Sequence, residues 1–155
     1  MRIVLQLNAA AIGFLLSISP LSAASVVPLD RHWSSNHLAQ LPTELQSRVL
    51  SLQKACGAKI SARHYFSTSI EVGQESFRVL HFQDLSCQNR QFVCTNGGCL
   101  HEIYRQSGGT FRKVFGLFAQ DIRMENNSGH LMIRATLGGE VRSFRWSGRS
   151  FVRAY

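Results

Sequence analysis

Leu45, Val49, Leu52 and Cys56 fall at i, i+4, i+7 and i+11. Apolar residues at that spacing form one stripe along a helix. Pro42 stands where a first helical residue tolerates the loss of its N–H, and Gly57 supplies a stop. Glu44 and Lys54 sit at the ends that suit the helix dipole. The pattern predicts a helix over 42–56. From about residue 60 the period shortens to two. The clearest stretch is 130–137, where Leu131, Ile133, Ala135 and Leu137 point one way. His130, Met132, Arg134 and Thr136 point the other, as on a half-exposed antiparallel strand. Further strands are predicted over 62–70, 77–82, 91–95, 100–105, 110–118, 141–146 and 150–153.

Turn residues punctuate these runs at Ser107-Gly108-Gly109, Asn126-Asn127-Ser128-Gly129, Gly138-Gly139 and Ser147-Gly148. Connections so short cannot hold crossover helices, so parallel βαβ units are excluded. The expected fold is α+β and mainly β. One N-terminal helix packs on an antiparallel β-meander, or on a partly closed barrel, of about six to eight strands. The stretch from Ser107 to Val114 echoes that from Ser147 to Arg153, but two hairpin starts do not make a repeat protein.

The chain ahead of the helix divides in two. Arg2, an apolar run from Ala9 to Ile18, Pro20 and the small residues Ser22-Ala23-Ala24 follow the order of a secretory signal peptide over 1–24. The apolar run is well short of the roughly 20 residues of a membrane span. Residues 25–41 show no steady period and read as a leader or linker. That leaves 42–155 as a single domain. Export to the periplasm or the extracellular space makes two disulfides the expected state of Cys56, Cys87, Cys94 and Cys99. Three pairings are open, and closeness in sequence favours either Cys87–Cys94 or Cys94–Cys99. The metal alternative, Cys94, Cys99 and His101, lacks the spacing of a zinc ribbon or finger.

The run Cys94-Thr95-Asn96-Gly97-Gly98-Cys99-Leu100-His101-Glu102-Ile103-Tyr104, followed by Ser107-Gly108-Gly109 and closed by Trp146-Ser147-Gly148, invites comparison. It resembles a group of small exported, disulfide-containing proteins of Gram-negative bacteria with no assigned function. The resemblance covers roughly 42–153 and implies export and fold, but no activity. Some members carry an Asp-rich, calcium-loop-like stretch between the first two cysteines. Here Ser67 to Glu75 lacks the spaced Asp residues that such a loop needs.

Motifs for catalysis are sparse. Ser51-Leu52-Gln53-Lys54 has S-x-x-K spacing without its companion S-D-N and K-T-G elements. No G-x-S-x-G elbow or H-E-x-x-H helix is present, no catalytic residue is assigned, and no motif calls for a cofactor. His130 and Met132, with Met124 upstream, are soft ligands of the kind copper takes, against the plainer reading of an ordinary strand face. Paired-carboxylate chemistry has no constellation in the spacing of the nine acids; Asp84, Glu102 and Asp121 are its non-turn candidates, and they are expected to partner arginines.

Charge changes the picture more. The chain has 155 residues with a formal charge of +8, and 14 of its 17 basic residues are Arg. From Leu100 onward eight Arg and one Lys face four acids. Arg142, Arg145, Trp146, Arg149 and Arg153 crowd the final hairpin and form the candidate binding face. Arg suits bidentate contact with carboxylate or phosphate and stacks on aromatic rings. In an envelope the matching partners are anionic lipid, acidic glycan or an acidic protein. Nucleic acid fits the charge but not the compartment. The expected function is therefore a non-enzymatic, exported protein that binds an anionic envelope component. The alternative is a small envelope hydrolase, or an inhibitor of a cell-wall enzyme that presents the loop Thr95–Gly98.

Overall fold

The computed structural model describes residues 32–57 and 59–155. The expected signal peptide, 1–24, lies outside the described residues, as do 25–31 of the leader. The described part of that leader carries α1 (Asn36–Ala39) and places Leu41 in the core. Instead of one helix over 42–56 there are two, α2 (Thr43–Ser51) and α3 (Gln53–Cys56), divided at Leu52. Leu45, Val49 and Cys56 of the stripe are buried. Gly57, at φ 73°, ends α3 in the left-handed conformation that a side chain resists.

The remainder is mainly antiparallel β. β1 (Ser67–Val72), β2 (Glu75–His81), β3 (Cys94–Thr95), β4 (Gly98–Ser107) and β5 (Thr110–Ala119) form one sheet. β4 lies at its centre, paired to β2, β3 and β5. β6 (Asp121–Asn127), β7 (His130–Leu137), β8 (Glu140–Trp146) and β9 (Phe151–Ala154) form a second sheet in simple order. The sheets do not close on themselves, so the barrel form of the expected fold is corrected to two open sheets. A barrel needs its first and last strands to pair. Here the chain leaves the first sheet at Gln120 and starts another.

Sequence patterning misses β6. Ile122 and Met124 point inward, but Asp121, Arg123 and Glu125 alternate with them and Asn126-Asn127 follows, so the stretch looks like a polar loop. The expected strand over 91–95 shrinks to the two residues of β3 after a 3₁₀ turn at Arg90–Phe92. On β7 the predicted faces hold: Leu131, Ile133 and Ala135 are buried and Arg134 is exposed.

The first sheet is covered on both faces, and this makes two cores. Leu45, Val49, Phe66, Leu80, Phe82, Leu85 and Tyr104 pack between the helices and one face. Phe77, Val79, Ile103, Ile122, Ile133 and Trp146 pack between the two sheets. The corner joining the sheets needs Gly98. Its φ is 121°, and a Cβ there would stand 2.1 Å from the carbonyl of Ala119. Strand end and strand start touch backbone to backbone, which only glycine allows.

The open cysteine pairing resolves as Cys56–Cys87 and Cys94–Cys99. Cys94 and Cys99 face each other across the β3–β4 ladder. Cys56 and Cys87 are buried in the helix-side core, so their bond anchors the end of α3. Loop-closure entropy assigns about 3–4 kcal/mol to the 31-residue separation and about 2 kcal/mol to the 5-residue one. Replacing Cys56 and Cys87 by Ala should therefore lower the urea-unfolding free energy more than replacing Cys94 and Cys99. Equal losses would contradict the assignment of the larger constraint to the first bridge.

Candidate functional site

The C-terminal arginines do not gather on one face. On β8, Arg142 shares a side with the core residues Phe144 and Trp146, while Arg145 points to the opposite side. Arg153 of β9 pairs with Phe144 and so lies on the side of Arg142. Arg149 is exposed in the turn between the strands. Trp146 is buried, its indole N–H donates to Glu75 Oε2 at 3.0 Å, and its ring meets Phe77 edge-on. It fastens the last hairpin to the first sheet. A recess of about 400 Å³ lies beside it, lined by Glu75, His130, Arg145, Trp146 and Gly148 among others.

Which arginines are already neutralised separates the basic residues. Arg48 lies on Glu102, Arg63 near Asp84, Arg105 on Glu75, Arg123 on Asp121, Arg134 on Glu125 and Arg142 on Glu140. Among the described residues Arg145, Arg149 and Arg153 make no ion pair. Arg153 instead stacks on Tyr155, its guanidinium carbon 5.4 Å from the ring centre. Asp84, Glu102 and Asp121, the acids singled out from sequence, each sit beside an arginine.

Glu102 has the most demanding environment. Its residue is 1% exposed, in mid-β4, facing the helices. Arg48 of α2 donates two hydrogen bonds, Nε to Oε2 and Nη2 to Oε1, each 3.0 Å. Lys113 Nζ donates to Oε1 at 2.6 Å and the Tyr104 hydroxyl to Oε2 at 2.7 Å. Burial alone would raise this carboxyl; the hydrogen bonds from Arg48, Lys113 and Tyr104 outweigh it and hold it below the usual range. Burial, and then the bond to Glu102, pushes the Tyr104 hydroxyl up. With both oxygens engaged by four donors, Glu102 is a structural anchor rather than an acid–base group.

A second polar cluster lies on the opposite face of the same sheet. His81 of β2 and His101 of β4 are register partners, with their Nδ1 atoms 3.0 Å apart. His101 Nε2 faces the carbonyl of Ala119 at 3.3 Å, and a carbonyl only accepts, so Nε2 carries the proton. His101 Nδ1 must then accept from His81 Nδ1–H, and His81 Nε2 accepts from Thr68 Oγ at 2.9 Å. Both rings are thus held neutral in fixed tautomers. Burial first, and the adjacent His101 second, lower His81 to about 4 against an opposing pull from Asp121. Burial lowers His101 as well. Single-sequence spacing gives no sign of this pair; strand register creates it.

The metal alternatives fail on geometry. Cys94 and Cys99 are bonded to each other and His101 is engaged with His81. Met124 packs in the inter-sheet core, on the opposite side of its sheet from the His130–Met132 face of β7. Among the described residues no group of three His, Cys, Asp or Glu side chains could hold a metal ion. Sequence reasoning also passed over Arg63 and Arg78, which with Ser67 line a recess of about 470 Å³ between the α1 end and β1–β2. They come together only through folding.

Comparison with protein-family models, with curated proteins and with solved structures finds no match for this chain.

The buried carboxylate and the neutral histidine pair each leave a mark on stability. Glu102→Gln should cost about 2–3 kcal/mol of unfolding free energy, less than for a fully buried pair, because Arg48 and Lys113 still reach water. A loss under 0.5 kcal/mol would show that the anchor is dispensable. The histidines give the pH dependence. A group lowered to about 4 in the fold and titrating near 6.5 when unfolded contributes stability that is full above 6.5. That contribution is lost as pH falls toward 4. The urea midpoint should drop over this window, and the slope should shrink in His81→Gln; an unchanged slope would assign the drop to other groups.

Proposed function

We propose that this is an exported, non-enzymatic protein that binds an anionic component of the cell envelope through the β8–β9 hairpin. The observation that carries the reading is the charge left over on Arg145, Arg149 and Arg153. Of the twelve described arginines six have a carboxylate at hand and six, Arg78, Arg90, Arg112, Arg145, Arg149 and Arg153, do not; the last three are the exposed ones that lie close together in sequence. An arginine cancelled by its neighbour adds little to the outward field; an uncancelled one attracts anions and forms bidentate contacts with carboxylate or phosphate.

Arg145 lines the 400 Å³ recess, Arg149 stands exposed in the turn between the strands, and Arg153 lies on β9 on the side opposite Arg145. Val152 and Tyr155 beside them are exposed, so the hairpin offers apolar contact as well as charge. Within this proposal Trp146 supports the surface from beneath, and Arg142 contributes weakly because Glu140 lies 3.4 Å away. The two disulfides accord with an oxidising, exported compartment. Among the described residues no helix is long and apolar enough to cross a membrane. The signal-peptide order of residues 1–24 is the basis for secretion, and the periplasm or extracellular space is the proposed location.

Vesicles with and without phosphatidylglycerol, and a soluble acidic polysaccharide, are suitable probes. Cosedimentation or fluorescence titration should show binding to at least one anionic probe that weakens as salt rises from 50 to 300 mM. Arg145→Gln, Arg149→Gln and Arg153→Gln combined should weaken it at least tenfold. Arg123→Gln with Arg134→Gln, which removes cations already paired, should change it less than threefold. Equal effects from the two sets, or no binding to any anionic probe, would refute the assignment.

A further inference from the structure

Three buried side-chain polar atoms lack a hydrogen-bond partner among the described residues: Ser67 Oγ, Arg78 Nε and Arg105 Nε. Arg105 has the Glu75 carboxylate 2.7 Å away. The other two residues have no such relief, and both line the 470 Å³ recess. Leaving a buried donor unmatched costs free energy, and a native fold that keeps one invites an explanation. Arg78 sits in mid-β2, opposite Ser69 on β1 and Tyr104 on β4. Among the described residues it makes no ion pair, and its guanidinium carbon stands 5.7 Å from the centre of the Phe111 ring.

The rest of the lining agrees. Arg63 stands at the rim, its guanidinium carbon 4.6 Å from the centre of the Trp33 ring. Its nearest carboxylate, Asp84, is 3.7 Å off and outside the recess. Ser67 and Ser69 supply hydroxyls, and Tyr65 an exposed aromatic ring. Among the described residues no Asp or Glu lines the recess. Two guanidinium groups and the serine hydroxyls, with no carboxylate among the described lining residues, make an electropositive hollow, and its volume falls within the range of small-molecule sites. A bare ion would leave most of it empty.

We infer that this recess binds a small organic acid of about sugar size, with its oxyanion on Arg78 and Arg63 and its polar body against Ser67, Ser69 and Tyr65. The site is distinct from the β8–β9 hairpin, and either assignment can fail without the other. Arg78 Nε–H gains the acceptor that the fold withholds. A carboxylate and a phosphate ester offer the same oxyanion chemistry, so probes of both kinds separate the sources.

The test uses the disulfide-intact protein and three probes: D-glucuronate, glucose 6-phosphate and neutral D-glucose. Calorimetry gives affinity, and the ¹⁵N–¹H signal of Arg78 Nε–H gives location. Expected is saturable binding of at least one acid, a shift of the Arg78 signal, and no binding of glucose at the same concentration. Arg78→Met should cut affinity at least tenfold while leaving Tm unchanged or higher, because Arg78 is half-buried and its buried Nε–H has no hydrogen-bond partner among the described residues. Arg63→Gln, at the exposed rim, should cut affinity threefold or more and decides the matter if Arg78→Met does not fold. The Arg145, Arg149 and Arg153 triple variant should bind undiminished. Binding of neither acid, equal binding of glucose, or full affinity in a folded Arg78→Met would overturn the inference.

Discussion

A carboxylate sealed inside a strand has to be matched, and Glu102 sets the terms on which the helical layer meets the sheet. Its oxygens face the helices from mid-β4 and need donors from more than one element. α2 brings Arg48, β5 brings Lys113, and β4 itself brings Tyr104 two residues on. Apolar contact alone would allow α2 to slide along the face, since burial is not directional. Two parallel N–H···O bonds from one guanidinium define a position. The same strand turns Ile103 to the other core and His101 to the histidine pair, so three consecutive residues serve two faces.

Much of the architecture is written in local patterns. The alternation of Leu131, Ile133 and Ala135, the stripe of Leu45, Val49 and Cys56, and the Gly-rich hairpin turns all lead to the elements found. What escaped is non-local. Whether one sheet closes or two form depends on the backbone contact of Gly98 with Ala119, and no window of sequence contains that contact. β6 escaped for a different reason: its outward residues are charged, and only the inward pair, Ile122 and Met124, reports the strand. The cysteine pairing stayed open in sequence until the two-residue ladder of β3 and β4 set Cys94 against Cys99.

The arginine excess was plain in the sequence, but its meaning was not. Counting charges treats Arg123 and Arg145 alike, whereas the fold pairs the first with Asp121 and gives the second no ion pair among the described residues. The same bookkeeping brings out Arg78, which lies outside the basic last third. Composition registers it as one cation among 17, while the fold makes it a buried donor without an acceptor.

The strand order has one irregularity. Every pairing joins neighbours along the chain except that of β2 with β4. The intervening segment has to loop out and return before the first sheet is complete. That excursion, 82–97, contains Cys87 and Cys94, and Cys99 follows immediately. Both cross-links are therefore placed at the single non-sequential step of the topology. The second sheet, a pure meander from Asp121 to Ala154, contains no cysteine. Covalent reinforcement is confined to the half of the molecule whose connectivity is least local, and the half bearing the uncancelled hairpin arginines is held by packing, hydrogen bonds and ion pairs with no cross-link.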